Sequence, residues 1–152
     1  AVIGQIYKDR VTAIDNCAEE LEEAPDCCSK QLMDATELLF PDDSFDNVTF
    51  FYTLMYMTTE EQQKSIREAA RVLKAGKWMH IWDCDIRSAY PEPFVIDLDV
   101  KSGTLKIHTA YGIVKRDTQS SDSIVHLLEN AGLRIESLQE KDGQFHIQCR
   151  KG

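Results

Sequence analysis

Three short segments each deliver a carboxylate at the point where an extended run stops: Val11-Thr-Ala-Ile14 runs into Asp15, Cys28 to Met33 into Asp34, and Trp78 to Trp82 into Asp83. Val11 to Ile14 reads as a buried parallel strand, apolar along its length instead of alternating. Asn47 to Tyr52, rich in β-branched and aromatic residues, reads as a further strand after the turn Pro41-Asp-Asp-Ser-Phe45. Helical signals lie between. Asn16 is placed to cap a helix that stops near Pro25. Thr59-x-x-Gln62 has the form of a capping box, apolar residues recur at Ile66, Ala69, Ala70 and Leu73, and Gly76 follows as a stop. Strands alternating with helices imply a parallel sheet with right-handed crossovers, and ligands then bind outside the carboxyl ends of the strands. The predicted fold class is α/β, a Rossmann-like doubly wound and mostly parallel sheet.

The second half departs from strict alternation. Phe94 to Val100 and Thr104 to Val114 flank Lys101-Ser-Gly103, which predicts an inserted β-hairpin near residues 93–114. A helix is expected from Ser121 to Ala131, with Gly132 after it. Leu133 to Gln139 and Gln144 to Cys149, joined by Lys141-Asp-Gly143, predict a terminal antiparallel hairpin.

Composition narrows the partners. A chain of 152 residues fits one domain with a real core. Its net charge of −9, with 26 acids against 17 bases, makes nucleic acid an unlikely partner, because affinity there comes largely from neutralised phosphates. No apolar run approaches the ~20 residues a spanning helix needs, and a cytoplasmic location without membrane attachment is expected. The cysteines at 17, 27, 28, 84 and 149 form no C-x-x-C pair and are odd in number. They predict free thiols in a reducing compartment, with neither a zinc site nor a disulfide framework.

Taken in order, Val11 to Asp15, Met33-Asp34-Ala35, the segment Asp34 to Asp46 with its proline turn and Phe-Asp, Val48 to Met57, Arg71-Val-Leu-Lys-Ala-Gly76 and Trp78 to Asp83 resemble the class I S-adenosylmethionine-dependent methyltransferases, specifically the methyltransferase-11-like group. The resemblance implies methyl transfer from S-adenosyl-L-methionine to a small-molecule acceptor. The alternative is a non-catalytic methyltransferase-like module that binds a protein partner. A nicotinamide-dependent dehydrogenase shares the acid after the second strand of such a fold but fits the terminal hairpin and the Asp34 segment poorly.

By the same resemblance Asp15 takes the two ribose hydroxyls, a bidentate use of carboxylate, and Asn16 lies beside the adenine. Asp34 takes the adenine amino group, with Ala35 offering its backbone N–H to a ring nitrogen. Phe50 lies where the methionine part passes. Tyr56 stands near the transferred methyl as a candidate for orienting a nucleophile, and Asp83, with Asp85 nearby, faces the pocket mouth as a substrate-binding group, proton acceptor or cation ligand. Read without the resemblance, Asp15 caps a helix, Asp34 makes a strand-end turn, Phe50 is core and Asp83 is a solvated loop acid. No metal site is expected. The insertion from Ser88 to Lys115, with Tyr90, Phe94, His108 and Tyr111, is expected to wall the acceptor pocket; as alternatives it extends the sheet or makes a homodimer contact. The family's glycine-rich turn falls before Asp15, and Ala1 to Lys8 correspond to the tail of the helix that follows it. The domain is therefore expected to span 1–152 as a single unit, N-terminally incomplete, without its first strand.

Overall fold

The structure is a computed structural model that describes residues 2–87, 94–113 and 117–152. A short helix α1 (Val2–Tyr7) and a 3-10 turn (Lys8–Arg10) lead into β1 (Thr12–Asp15), α2 (Ala18–Glu23) and β2 (Ser29–Leu32). β1 and β2 pair in parallel, Thr12 opposite Ser29 and Asp15 opposite Leu32. β3 (Phe45–Phe51), a 3-10 turn (Leu54–Tyr56), α3 (Thr59–Val72) and β4 (Leu73–Cys84) follow. The hairpin β5 (Phe94–Ser102) and β6 (Leu105–Ile113), then α4 (Ser121–Asn130), β7 (Leu133–Lys141) and β8 (Gln144–Lys151), complete the chain.

The main sheet has the order β3-β4-β8-β7, with β3 and β4 parallel and the other two pairings antiparallel. The α/β class, the parallel crossover and the terminal hairpin agree with the sequence reading. The continuous doubly wound sheet is not found. β1-β2 and β5-β6 stand as separate two-stranded sheets, and no pairing joins β1 to β3 among the described residues.

Period-2 alternation decides which side chains meet the helices. Phe50 on β3, Met79 and Ile81 on β4, and Phe145, Ile147 and Cys149 on β8 face one way. They close a core with Ile66 and Ala69 of α3 and Ile124 and Leu128 of α4. The intervening residues carry a stacked ladder instead. The Trp82 and His146 rings are 4.3 Å apart and 7° from parallel, His80 stacks on Trp82, and the Arg150 guanidinium sits 4.3 Å over Trp78.

Several local expectations shift by one or two residues. The box that starts α3 is Thr58 with Glu61, not Thr59 with Gln62. Thr58 Oγ1 accepts from the Glu61 N–H at 3.3 Å, and Glu61 Oε2 accepts from the Thr58 N–H at 2.7 Å. Two such pairs overlap in this sequence; Gln62 is drawn inward to other partners, which leaves Glu61 for the cap. Thr58→Ala is expected to lower the unfolding free energy by about 1 kcal/mol, read from the midpoint of a urea transition. Asn16 does not cap α2: the residue before that helix is Cys17, with no side-chain cap. α3 closes at Val72, and Gly76, at φ +70°, bends the start of β4 instead of ending the helix. The inserted hairpin turns at Gly103-Thr104, with Ser102 opposite Leu105, two residues beyond the expected start of the turn. Asp142 and Gly143 both hold positive φ, the twist a tight hairpin needs.

Candidate functional site

Asp15 is the last residue of β1, half-buried. Its Oδ1 accepts from the Cys17 N–H at 2.9 Å, and its carbonyl accepts from the Met33 N–H at 2.8 Å. The helix cap that the bare sequence allowed is not what forms: α2 begins at Ala18 after Cys17 with no side-chain cap, and Asp15 closes a two-residue turn ahead of it. The second carboxylate oxygen makes no further hydrogen bond among the described residues, so it can take a hydroxyl. Asn16 beside it is exposed. Asp34 is exposed just past β2; the Thr36 N–H at 2.8 Å holds its carboxyl below the usual range. Ala35, the next residue, is half-buried.

The loop carrying Asp34 is anchored from α3. Arg71 donates to the carbonyls of Leu38 at 2.8 Å and Phe40 at 2.9 Å, and to the carboxylates of Asp42 and Glu68. Glu68 in turn accepts from the Leu38 N–H. A planar guanidinium can serve four acceptors at fixed angles, which a lysine cannot. That is a physical reason for arginine at the start of the Arg71-Val-Leu-Lys motif.

The carboxyl end of β3 is distorted. Tyr52 holds φ +50°, a left-handed conformation uncommon for a side-chain-bearing residue. Its N–H still donates to the Trp82 carbonyl, and its hydroxyl donates to Gln144 Oε1 at 2.7 Å. Burial, together with the nearby Cys84, Asp83 and Tyr111, pushes its phenol up to about 12. The chain then enters the turn Leu54–Tyr56. Tyr56 leaves it 54% exposed, so it reaches solvent and is not packed. Its phenol is raised by partial burial and then by Tyr111, Glu20, Asp83 and Cys84.

Two residues are placed otherwise than expected. Phe50 is 6% exposed and belongs to the helix-packed core, so its side chain is turned from the face open to a ligand; Phe51, one residue on, is 38% exposed on the other face. Asp83 does not face a pocket mouth. It is fully buried, its Oδ2 accepting from the N–H groups of Leu54 at 3.0 Å and Met55 at 3.3 Å, its Oδ1 from Cys84 N–H at 2.9 Å and Gln119 Nε2 at 2.8 Å. Desolvation outweighs these donors and raises its carboxyl to about 6. Asp85 pairs with Arg87 and accepts from the Ser121 N–H. Among the described residues no three His, Cys, Asp or Glu side chains converge on a cation position.

The inserted hairpin is amphipathic. Ile96 and Leu98 bury against Tyr52, Met55, Cys84 and Ile86, with Tyr111 stacked on Tyr52 at 5.7 Å. Asp97, Asp99 and His108 face outward. Tyr90 and the ends of the insertion, 88–93 and 114–116, lie outside the described residues, and the side chain of Phe94 is not described. Sequence reasoning missed Tyr52, Gln62 and Gln119. A glutamine carries no local signal, whereas the aromatic run through Tyr52 did mark the strand end.

Residues 2–81 match the family described as Methyltransferase domain. The chain is 30% identical over 140 residues to Methyltransferase GfsG of Streptomyces halstedii, spanning 92% of this chain and 44% of that protein. It spans less than half the length of that curated relative. Among solved structures, a SAM-dependent methyltransferase from Methanosarcina mazei superposes with a TM-score of 0.65 at 18% identity, over 93% of this chain and 81% of that one. The [4+2]-cyclase SpnF superposes at 0.64 and 16% identity, over 94% of this chain and 66% of that one. The chain belongs to the methyltransferase-domain family, the class I type whose cofactor is S-adenosylmethionine. Its fold is the Rossmann-like fold of these structures. No described helix is long and apolar enough to cross a membrane.

Proposed function

We propose that this protein binds S-adenosyl-L-methionine through Asp15, Asn16, Asp34 and Ala35 and transfers its methyl group to a small-molecule acceptor held near Tyr56. The observation that carries the reading is the placement of Asp15 at the end of β1 and Asp34 just past its paired strand β2, with the Tyr56 turn following β3. The sulfonium supplies an activated methyl group, so the protein's share is orientation and exclusion of water. Asp15 offers a half-buried carboxylate for vicinal hydroxyls, Asp34 an exposed acceptor for an amino group, and Ala35 its backbone. Tyr56, protonated at neutral pH, can donate a hydrogen bond to the attacking atom of the acceptor. The half-buried Tyr111 of the hairpin, held by stacking on the buried Tyr52, would give the acceptor side an aromatic edge, which suits a planar or apolar molecule.

Fold likeness alone fixes no chemistry, since a cyclase shares this architecture. The second reading, a non-catalytic partner-binding module, draws on the exposed Asn16 and on the strongly acidic composition, net charge −9.

Isothermal titration of the full-length protein with S-adenosylhomocysteine tests the proposal; absence of binding at millimolar ligand removes it and leaves the partner-binding module. Asp15→Ala withdraws a charged acceptor from two hydroxyls, worth on the order of 1.5–3 kcal/mol, so the dissociation constant should rise at least tenfold. An unchanged constant takes Asp15 out of the site.

A further inference from the structure

The end of β3 is held by a closed ring of buried polar groups that the methyl-transfer reading leaves unused. The Leu54 N–H donates to Asp83 Oδ2 at 3.0 Å; Gln119 Nε2 donates to Asp83 Oδ1 at 2.8 Å; Gln62 Nε2 donates to Gln119 Oε1 at 2.6 Å and to the Leu54 carbonyl at 2.8 Å. The ring starts and finishes on the same peptide residue. Gln62, Asp83 and Gln119 are 4%, 0% and 3% exposed. They come from α3, from the end of β4 and from the segment before α4, where Gln119 exchanges backbone hydrogen bonds with Ile86.

A lone carboxylate in such a place is costly, and an apolar trio of equal volume would pack at least as stably. What apolar residues cannot do is fix both the N–H and the carbonyl of one residue in direction. The turn that gains this direction is Leu54–Tyr56, entered from the left-handed Tyr52 and left through the Thr58 cap. Its one half-exposed side chain is Tyr56, while Leu54 and Met55 are wholly buried.

We propose that Asp83, Gln119 and Gln62 are positioning residues that hold the Leu54–Tyr56 turn rigid and so aim the Tyr56 phenol at the acceptor. The proposal deepens the methyltransferase reading and rests on it for the identity of the site. Asp83 touches no substrate in this arrangement. It acts through the turn, as a carboxylate capping two successive N–H groups.

The test reads Tyr56 directly and needs no cofactor, so it fails independently of cofactor binding. 3-Fluorotyrosine is placed at position 56 of the full-length protein and its fluorine resonance is followed in the parent, in Asp83→Asn and in Gln119→Ala. In Asp83→Asn an amide N–H₂ faces the Cys84 N–H or the Leu54 and Met55 N–H groups, so the ring opens. In Gln119→Ala the link between Asp83 and Gln62 is gone. Both variants are expected to broaden or split the single parent resonance at temperatures where circular dichroism shows them folded. If Asp83→Asn does not fold, Gln119→Ala decides alone. A resonance with unchanged shift and width in the folded variants, whatever their loss of stability, overturns the proposal and leaves the ring a purely structural element.

Discussion

Ile81→Ala is expected to lower the unfolding free energy by about 2–5 kcal/mol, a large share of the about 5–15 kcal/mol that holds most domains together. Ile81 is fully buried in the middle of β4, opposite Phe50 on β3 and Ile147 on β8, and it lies within the cluster built from α3 and α4. Truncation removes its transfer free energy and leaves a cavity between two helices and three strands. Pairing on both sides keeps β4 from collapsing into that space. Equilibrium urea denaturation measures the loss; a change under 1 kcal/mol would mean that the helices slide in to fill the void, and that the core is looser than its burial implies.

The strands around Ile81 were legible because their chemistry is local. Val11 to Asp15 and Trp78 to Asp83 announce themselves as extended runs ending in an acid, and their order is enough for an α/β fold with a terminal hairpin. Parity was not legible. Phe50 and Phe51 are adjacent aromatics, and which of them enters the core depends on the face that α3 and α4 cover. The cap of α3 was missed by one residue for a similar reason: Thr58-Glu61 and Thr59-Gln62 are both adequate boxes, and the choice falls on whichever glutamine or glutamate is not needed inside. Asp83 was recognised as a strand-end acid but set on the wrong side of the surface. Its decisive partner, Gln119, lies 36 residues away, and no spacing rule connects them. Asp15 ends β1 and Asp34 follows two residues after β2, positions that the extended runs made legible because a strand end fixes the backbone locally.

Asp83 also gives the protein a pH dependence of unusual sign. Its carboxyl is raised from an ordinary 3.8 to about 6 by burial, so between these values the native state keeps a proton that the unfolded chain has released. The group's contribution to stability is full below about pH 3.8, declines as pH rises towards about 6, and is gone above it. Asp34, Glu61 and Glu68 act in the opposite direction. Hydrogen bonds hold their carboxyls below the ordinary range, so the stability they add is present above their unfolded values and is lost as the solution is acidified. The net profile mixes the two, and a difference measurement separates them. Comparing the parent with Asp83→Asn, both by urea denaturation at pH 4.5 and pH 7.5, removes every shared carboxylate. The parent should gain about 2 kcal/mol relative to the variant on going to pH 4.5, the linkage value for a carboxyl moved from 3.8 to about 6. Parallel profiles for the two proteins would mean that Asp83 stays ionised in the native state across this window. The four donors around it would then outweigh its desolvation, and the ring through Gln119 and Gln62 would hold a permanent charge.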